Sequence, residues 1–224
     1  MGSIEDRGYY IFFKNKKGDY LKEKRAFELI LSSLPKDFVP KVVVELFGGV
    51  GLFASLVPNS WRKQKYISYD HDSKCVEIFS EKHPWAKILL EDSFKVDLPE
   101  TTEFLTADFN SYTLLKHFQE RYLQLIDRIS RLSNLKFLQV TDSAVSKLHL
   151  NGKVYSKKMG EVEDLNTLEK YLKCLASFYK KNYNLGLIKV FYHSNASYLL
   201  FEKNKKPNFQ ITKVTEMTGL RTLL

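Results

Sequence analysis

The feature that most constrains this chain is a stretch in which an apolar run empties into glycines: Lys41-Val42-Val43-Val44-Glu45-Leu46-Phe47-Gly48-Gly49-Val50-Gly51-Leu52-Phe53. Three consecutive valines followed by Leu46 and Phe47 predict a strand over Val42 to Phe47 that is buried on both faces, the habit of parallel sheets. Glycines directly after it allow turns closed to other residues, and the apolar pattern resumes at once as a helix over Val50 to Val57. Strand, glycine turn and helix in that order predict a ligand pocket at the carboxyl edge of an α/β sheet. The turn is not a phosphate-gripping P-loop, because no Gly-Lys-Ser/Thr follows, and the three spaced glycines of the dinucleotide fingerprint are not matched. Glu45 at its mouth would repel phosphate; it suits a ligand with positive charge or with hydroxyl and amine donors.

The flanking sequence supplies the rest of such a sheet. Ala26, Phe27, Ile30, Leu31 and Leu34 recur at three- and four-residue steps and predict a helix over Leu21 to Leu34, ended by Pro35. Further strands are predicted at Tyr66 to Tyr69, Ala86 to Leu90, Glu103 to Ala107 and Leu135 to Thr141, with helices at Ser73 to Lys82, Leu114 to Leu132 and Leu165 to Tyr179. Leu187 to Tyr192 and Ser197 to Glu202 flank the turn His193-Ser194-Asn195-Ala196 and read as a hairpin. The expected fold class is therefore α/β: a doubly wound, mostly parallel, seven-stranded sheet closed by a C-terminal antiparallel hairpin. Residues 1–20 are expected to be an N-terminal arm, 21–202 the domain, and 203–224 a basic, irregular tail.

Composition narrows the class further. At 224 residues and 26.2 kDa the chain suits one α/β domain with a modest extension, and a 44% hydrophobic content excludes wholesale disorder. No apolar run approaches the roughly 18 residues of a membrane span, and the N-terminus lacks the order of a signal peptide, so a soluble, cytoplasmic protein is expected. Cys75 and Cys174 stand outside any metal-ligand spacing and read as core thiols; no metal site is expected. The 35 Lys and Arg against 26 Asp and Glu leave a net charge of +9, which favours a polyanionic partner such as nucleic acid or an anionic membrane surface, although basic proteins without either are common.

Glu45-x-Phe47-x-Gly49-x-Gly51 resembles motif I of class I S-adenosylmethionine-dependent methyltransferases, and its Phe-x-Gly-x-Gly form is especially similar to that of DNA methyltransferases. The resemblance implies a Rossmann-like methyltransferase fold and S-adenosylmethionine as cofactor. It implies cofactor contacts at Glu45, Phe47, Gly48, Gly49 and Gly51, and at Asp70, 21 residues beyond Gly49 (70 − 49), where the family places a carboxylate for the ribose hydroxyls. Asp92, in Glu91-Asp92-Ser93-Phe94, matches the position that pairs with the adenine amine, with Ser93 beside it. Asp108-Phe109-Asn110-Ser111-Tyr112 stands where amino-methylating DNA enzymes carry Asp/Asn-Pro-Pro-Tyr/Phe. Asp108, Asn110 and Tyr112 are the catalytic candidates, with Asp108 also touching the cofactor; neither proline of that motif is present.

The acceptor is read from what the chemistry needs. Carbon-5 cytosine methylation requires a thiolate in the loop after the fourth strand, and no cysteine lies there. Transfer to an exocyclic amine or hydroxyl requires only alignment and a sink for one proton, which Asp108 can supply. Ser146 to Lys158, following the fifth strand, carries Lys147, Lys153, Lys157 and Lys158 with Tyr155 among them and no acid; cations interleaved with a stacking ring suit a sugar-phosphate backbone. Arg62, Lys63, Lys65, Lys203, Lys205 and Lys206 belong to the opposite edge and read as solubilising, and His149 and His193 read as surface residues. The expectation is methylation of an exocyclic base amine in nucleic acid, DNA before RNA. No separate recognition domain fits in the chain, so a protein partner could supply specificity. The competing readings are a catalytically silent methyltransferase-fold subunit, and a methyltransferase for a small molecule or protein.

Overall fold

A computed structural model describes residues 17–108, 119–143, 168–193 and 196–214. In chain order the elements are α1 (Lys17–Ser32), β1 (Val42–Leu46), α2 (Leu52–Leu56), α3 (Asn59–Arg62), β2 (Lys65–Asp70), α4 (Ser73–Lys82), β3 (Lys87–Leu90), β4 (Phe104–Ala107), α5 (Gln119–Arg131), β5 (Phe137–Ser143), α6 (Leu168–Tyr183), β6 (Leu185–Tyr192), β7 (Ala196–Lys203) and β8 (Gln210–Lys213). The strands form one sheet in the order β3-β2-β1-β4-β5-β7-β6-β8. Neighbours from β3 to β5 are parallel, β7 is antiparallel to both β5 and β6, and β8 is parallel to β6. The chain winds outward from β1 through β2 to β3, then returns to β4 on the other side of β1. The crevice between the carboxyl ends of β1 and β4 is therefore the switch point where open α/β sheets place their ligands.

The sheet has eight strands rather than the expected seven. All four residues of β8 are exposed, so Gln-Ile-Thr-Lys carries no buried alternation from which a strand could be read. Backbone pairing with β6 makes it, in the register Lys189 to Gln210 through Tyr192 to Lys213, and the buried Val214 anchors its end. The predicted helix over Val50 to Val57 is shorter, because Pro58 starts a separate turn, α3, whose Trp61 is buried. The predicted Ser73 to Lys82 helix is reproduced; Asp72 caps it by accepting from the N–H groups of Lys74 and Cys75. The helix predicted from Leu114 is described from Gln119 onward, and that predicted from Leu165 from Leu168 onward.

Alternate residues of the strands build two cores. Val44, Leu46, Leu105, Leu138 and Val140 meet α5 and α6 on one face. Val43, Tyr66, Phe104, Phe137 and Tyr198 meet α1 to α4 on the other. Both cysteines are buried thiols, and burial pushes that of Cys75 up to about 12, so it is no nucleophile at neutral pH. Among the described residues no helix is long and apolar enough to cross a membrane.

Helix α1 is pinned by Phe27, whose ring meets Phe53 of α2 and Tyr198 of β7 edge-on, each at a centroid distance of 5.3 Å. Phe27→Ala should cost about 3–5 kcal/mol of stability in urea denaturation, since it empties a fully buried ring site. A cost below about 1 kcal/mol would mean that α1 does not depend on this contact.

Candidate functional site at the carboxyl edge

The turn after β1 is shaped from below. Glu45 is 2% exposed, and its Oε2 accepts the Tyr66 hydroxyl at 2.9 Å. A Cβ on Gly48 would stand 2.0 Å from Ser68 Oγ and 3.3 Å from the Glu45 carboxyl, so no side chain fits there. Gly51, at φ 79°, is equally blocked: a Cβ would meet the His83 ring at 2.5 Å, and the left-handed backbone already favours glycine. Both glycines are thus required by the protein's own packing beneath the turn. His83 is a determinant of the loop with no signal in the sequence; it is buried, lies edge-on to Phe79 at 5.0 Å, and burial lowers its pKa.

Between these two, the Gly49 N–H donates to Asp70 Oδ2 at 2.8 Å, tying the turn to the end of β2. Asp70 Oδ1 accepts the N–H of Asp72 at 2.9 Å. Each oxygen of this buried carboxylate therefore has one backbone donor and keeps a further acceptor site, which suits a vicinal diol. Phe47 holds a left-handed φ of 60°, uncommon for a non-glycine residue, and ends β1 one residue before its expected limit. Its N–H donates to Ser93 Oγ at 3.1 Å, Ser93 donates onward to the Tyr69 carbonyl at 3.2 Å, and the Phe47 ring lies 5.2 Å from that of Phe94. Ser93 thus braces the loop to two strands.

Asp92 sits at the same edge with a partner the sequence did not reveal. Its Oδ1 accepts the Phe94 N–H at 3.0 Å, and its Oδ2 accepts from Arg121 Nη2 of α5 at 2.8 Å. The Arg121 guanidinium stacks on the Phe94 ring at 4.7 Å, while Arg128 donates to the Val96 carbonyl at 3.1 Å and the Phe94 carbonyl at 2.5 Å. Two arginines of one helix thereby hold the loop after β3, leaving the Asp92 side chain 35% exposed toward solvent.

Across the parallel strands, Ser68, Glu45, Thr106 and Gln139 lie side by side in register and are all buried, forming a polar row beneath the turn. The Thr106 hydroxyl donates to Gln139 Oε1, and Gln139 Nε2 donates to Thr141 Oγ1 at 3.1 Å. Burial pushes the Asp108 carboxyl up from its ordinary range, and the polar side chains of Thr141 and Glu23 only partly oppose the shift. Asp70 and Asp108, at the ends of β2 and β4, both bear on the buried Glu45 beneath the turn.

Of the remaining candidates, Asn110, Tyr112, Lys147, His149, Lys153, Tyr155, Lys157 and Lys158 lie outside the described residues. His193 is not on the surface: it is 4% exposed, with Nε2 at 3.3 Å from the Tyr198 hydroxyl. Lys203 is not simply solubilising either, since its ammonium donates to the Ser130 carbonyl.

No family model and no curated protein matches the chain. Solved structures do match in fold. The plantazolicin methyltransferase BpumL in complex with SAH superposes with a TM-score of 0.59 at 10% identity, over 90% of this chain and 91% of that one. An S-adenosylmethionine-dependent methyltransferase from Clostridium acetobutylicum gives 0.57 at 12% identity, over 91% and 100%. The chain has the fold of S-adenosylmethionine-dependent methyltransferases. The N-methyltransferase NodS from Bradyrhizobium japonicum, at a TM-score of 0.56 and 11% identity over 85% and 99%, is a further instance of that fold.

Burial raises the Glu45 pKa from 4.5 to about 8, aided by the charges of Asp108 and Asp70, while the Tyr66 hydroxyl and that of Ser68 beside it oppose the shift. Below pH 4.5 the folded and unfolded chains both hold this proton. Between 4.5 and about 8 only the unfolded chain releases it, so the folded state loses stability as pH rises through that window. Glu45→Gln removes the ionisation and keeps an acceptor for Tyr66. In urea denaturation the variant should gain on the wild type by a few kcal/mol from about pH 5 to about pH 8; a constant difference across that range would show that Glu45 titrates normally.

Proposed function

We propose that the protein is an S-adenosylmethionine-dependent methyltransferase acting on an exocyclic amine of a nucleic-acid base, with DNA favoured over RNA. The observation that carries the first half is the buried Asp70 carboxylate at the end of β2, locked to the glycine turn by Gly49 and still able to accept a diol, in a methyltransferase fold. Asp70 would hold the ribose hydroxyls. Asp92, fixed by Arg121, would take the adenine amine beside the Phe47 and Phe94 rings, and the Asp108 end of β4, with Glu45 beneath the turn, would face the methionine end of the cofactor. When bound, S-adenosylmethionine supplies a methyl group activated by its sulfonium charge. The chain's own part is to orient it, exclude water and receive one proton, for which Asp108 stands at the end of β4. The Lys147 to Lys158 segment would meet the sugar-phosphate backbone, and a protein partner would supply sequence specificity.

Calorimetry with S-adenosylmethionine tests the cofactor. Binding is expected, with Asp70→Ala weakening it tenfold or more, about 1.4 kcal/mol, and Asp108→Ala weakening it less. No binding at millimolar cofactor would defeat the reading.

Transfer of a labelled methyl group tests the acceptor. Label should enter DNA ahead of RNA, and replacing Lys153, Lys157 and Lys158 together should raise the half-saturating DNA concentration and reduce its salt dependence. A second reading, a small-molecule or protein acceptor, draws on the plantazolicin methyltransferase among the fold neighbours. Label entering such an acceptor and neither nucleic acid would favour it, and cofactor binding without any transfer would favour a silent subunit.

A further inference from the structure

His83 has entered so far only as packing, yet its ring stands where the glycine turn closes. Gly51 ends that turn: its N–H donates to the Gly48 carbonyl at 2.9 Å, and its own carbonyl accepts the Ser55 N–H at 3.0 Å and so begins α2. The ring beneath it comes from the end of α4, where the His83 N–H donates to the Phe79 carbonyl at 2.8 Å and the His83 carbonyl accepts the Ala86 N–H at 2.9 Å. Its place is thus fixed from outside the turn. The walls around it are apolar, with Phe79 edge-on at 5.0 Å and Trp85 at 6.0 Å. A Cβ on Gly51 would stand 2.6 Å from Nε2, so this nitrogen faces the underside of the turn. Nε2 is buried and has no hydrogen-bond partner among the described residues. Two cations bear on the ring: Lys82 of its own helix, and Arg62 of α3, whose guanidinium lies 5.6 Å over the Trp85 ring. Toward β2, Trp85 meets the Tyr66 ring at 5.1 Å, and the Tyr66 hydroxyl is already given to Glu45. Helix α2 carries no ionisable residue. Burial first, then Lys82 and Arg62, disfavours a proton on the ring, and the Gly51 backbone beside it opposes this only in part.

We propose that His83 is a positioning residue that props the cofactor turn in a proton-sensitive way: uncharged, its ring supports Gly51 and with it the bond from Gly49 to Asp70; protonated, it leaves its place and the cofactor is released. This rests on the S-adenosylmethionine reading of the site. A neutral imidazole can lie against apolar walls with one nitrogen bare, whereas protonation makes both nitrogens donors and adds a charge. No acceptor among the described residues meets Nε2 with bonding geometry, and Lys82 and Arg62 repel the charge. The cation is relieved by moving toward solvent. Gly51 then loses the surface beneath it, the turn from Gly48 to Gly51 sinks, and the Gly49 N–H draws away from the carboxylate that would hold the ribose. Only the uncharged form presents the binding turn, so proton and cofactor exclude one another and each weakens the other by the same factor. Affinity is full at neutral pH and falls as the pH drops below the ordinary imidazole range. A second histidine faces the site from the solvent side, His71, with Nδ1 at 3.8 Å from Asp70 Oδ1, and it serves as the control.

The test uses the full chain. In calorimetry with S-adenosylmethionine, the wild-type affinity should fall at least about fivefold from about pH 7 to about pH 5, with proton release on binding at the lower end. His83→Gln, neutral at every pH, should bind more weakly than the wild type at about pH 7 and hold that affinity within about twofold down to about pH 5. His71→Gln should keep the wild-type slope. NMR of the wild type with ring-labelled histidine supplies an arm that needs no folded variant. Without cofactor, the Gly49 and Gly51 amide signals should move with the same midpoint as the His83 ring, and saturating cofactor should lower that midpoint. Glycine signals that stay fixed while His83 titrates, or a pH dependence of affinity that survives in His83→Gln, would overturn the proposal. Should the glycines follow His83 while no cofactor binds at any pH, the methyltransferase reading is what falls, and the coupling within the turn stands without it.

Discussion

Burying Glu45 beneath a turn that has no room for side chains sets the shape of the carboxyl edge. The carboxyl, Ser68 and the ring of His83 fill the space under Gly48 and Gly51, so the backbone is pressed outward and its middle N–H points to Asp70. Had any of these positions been larger, the turn would have to lift and the bond between Gly49 and β2 would break. The strain of Phe47 in a left-handed conformation belongs to the same arrangement, and Ser93 and Phe94 hold it there. The loop therefore owes its form to contacts on the core side, and its outer surface is left for a ligand.

This arrangement places unusual polarity inside the sheet. Ser68, Glu45, Thr106 and Gln139 run across four parallel strands where apolar side chains would be the ordinary choice. Desolvating such groups is costly unless each finds a partner: Glu45 is met by Tyr66, Thr106 and Gln139 by the ladder that runs on to Thr141, and the buried Ser68 hydroxyl has no hydrogen-bond partner among the described residues.

The loop after β3 shows a different solution to a similar demand. Its acid, Asp92, is fixed from α5 by Arg121, and the same helix reaches past it with Arg128 to the carbonyls of Phe94 and Val96. A segment with no regular structure of its own is thereby held as firmly as a strand end. Much of the protein's positive charge on this helix is spent on that task, which narrows what the net charge of +9 says about partners.

What the sequence by itself determined is the local part. Runs such as Val42-Val43-Val44, the glycines after them and the helical stripe of α1 are signals carried by neighbours a few residues apart, and they placed most strands and helices and the turn, while the family resemblance pointed to Asp70 at the end of β2. Only the tertiary structure decided the pairs that lie far apart: Gly51 over His83, Arg121 on Asp92, Tyr66 on Glu45, His193 inside rather than outside. It also decided β8, whose four exposed residues have no buried face and exist as a strand because β6 offers an edge. The reason is common to all of them. Periodicity records which side of an element is buried, whereas a hydrogen bond, an ion pair or an edge pairing between distant segments leaves no repeat in either, and becomes legible only when the fold brings the two together.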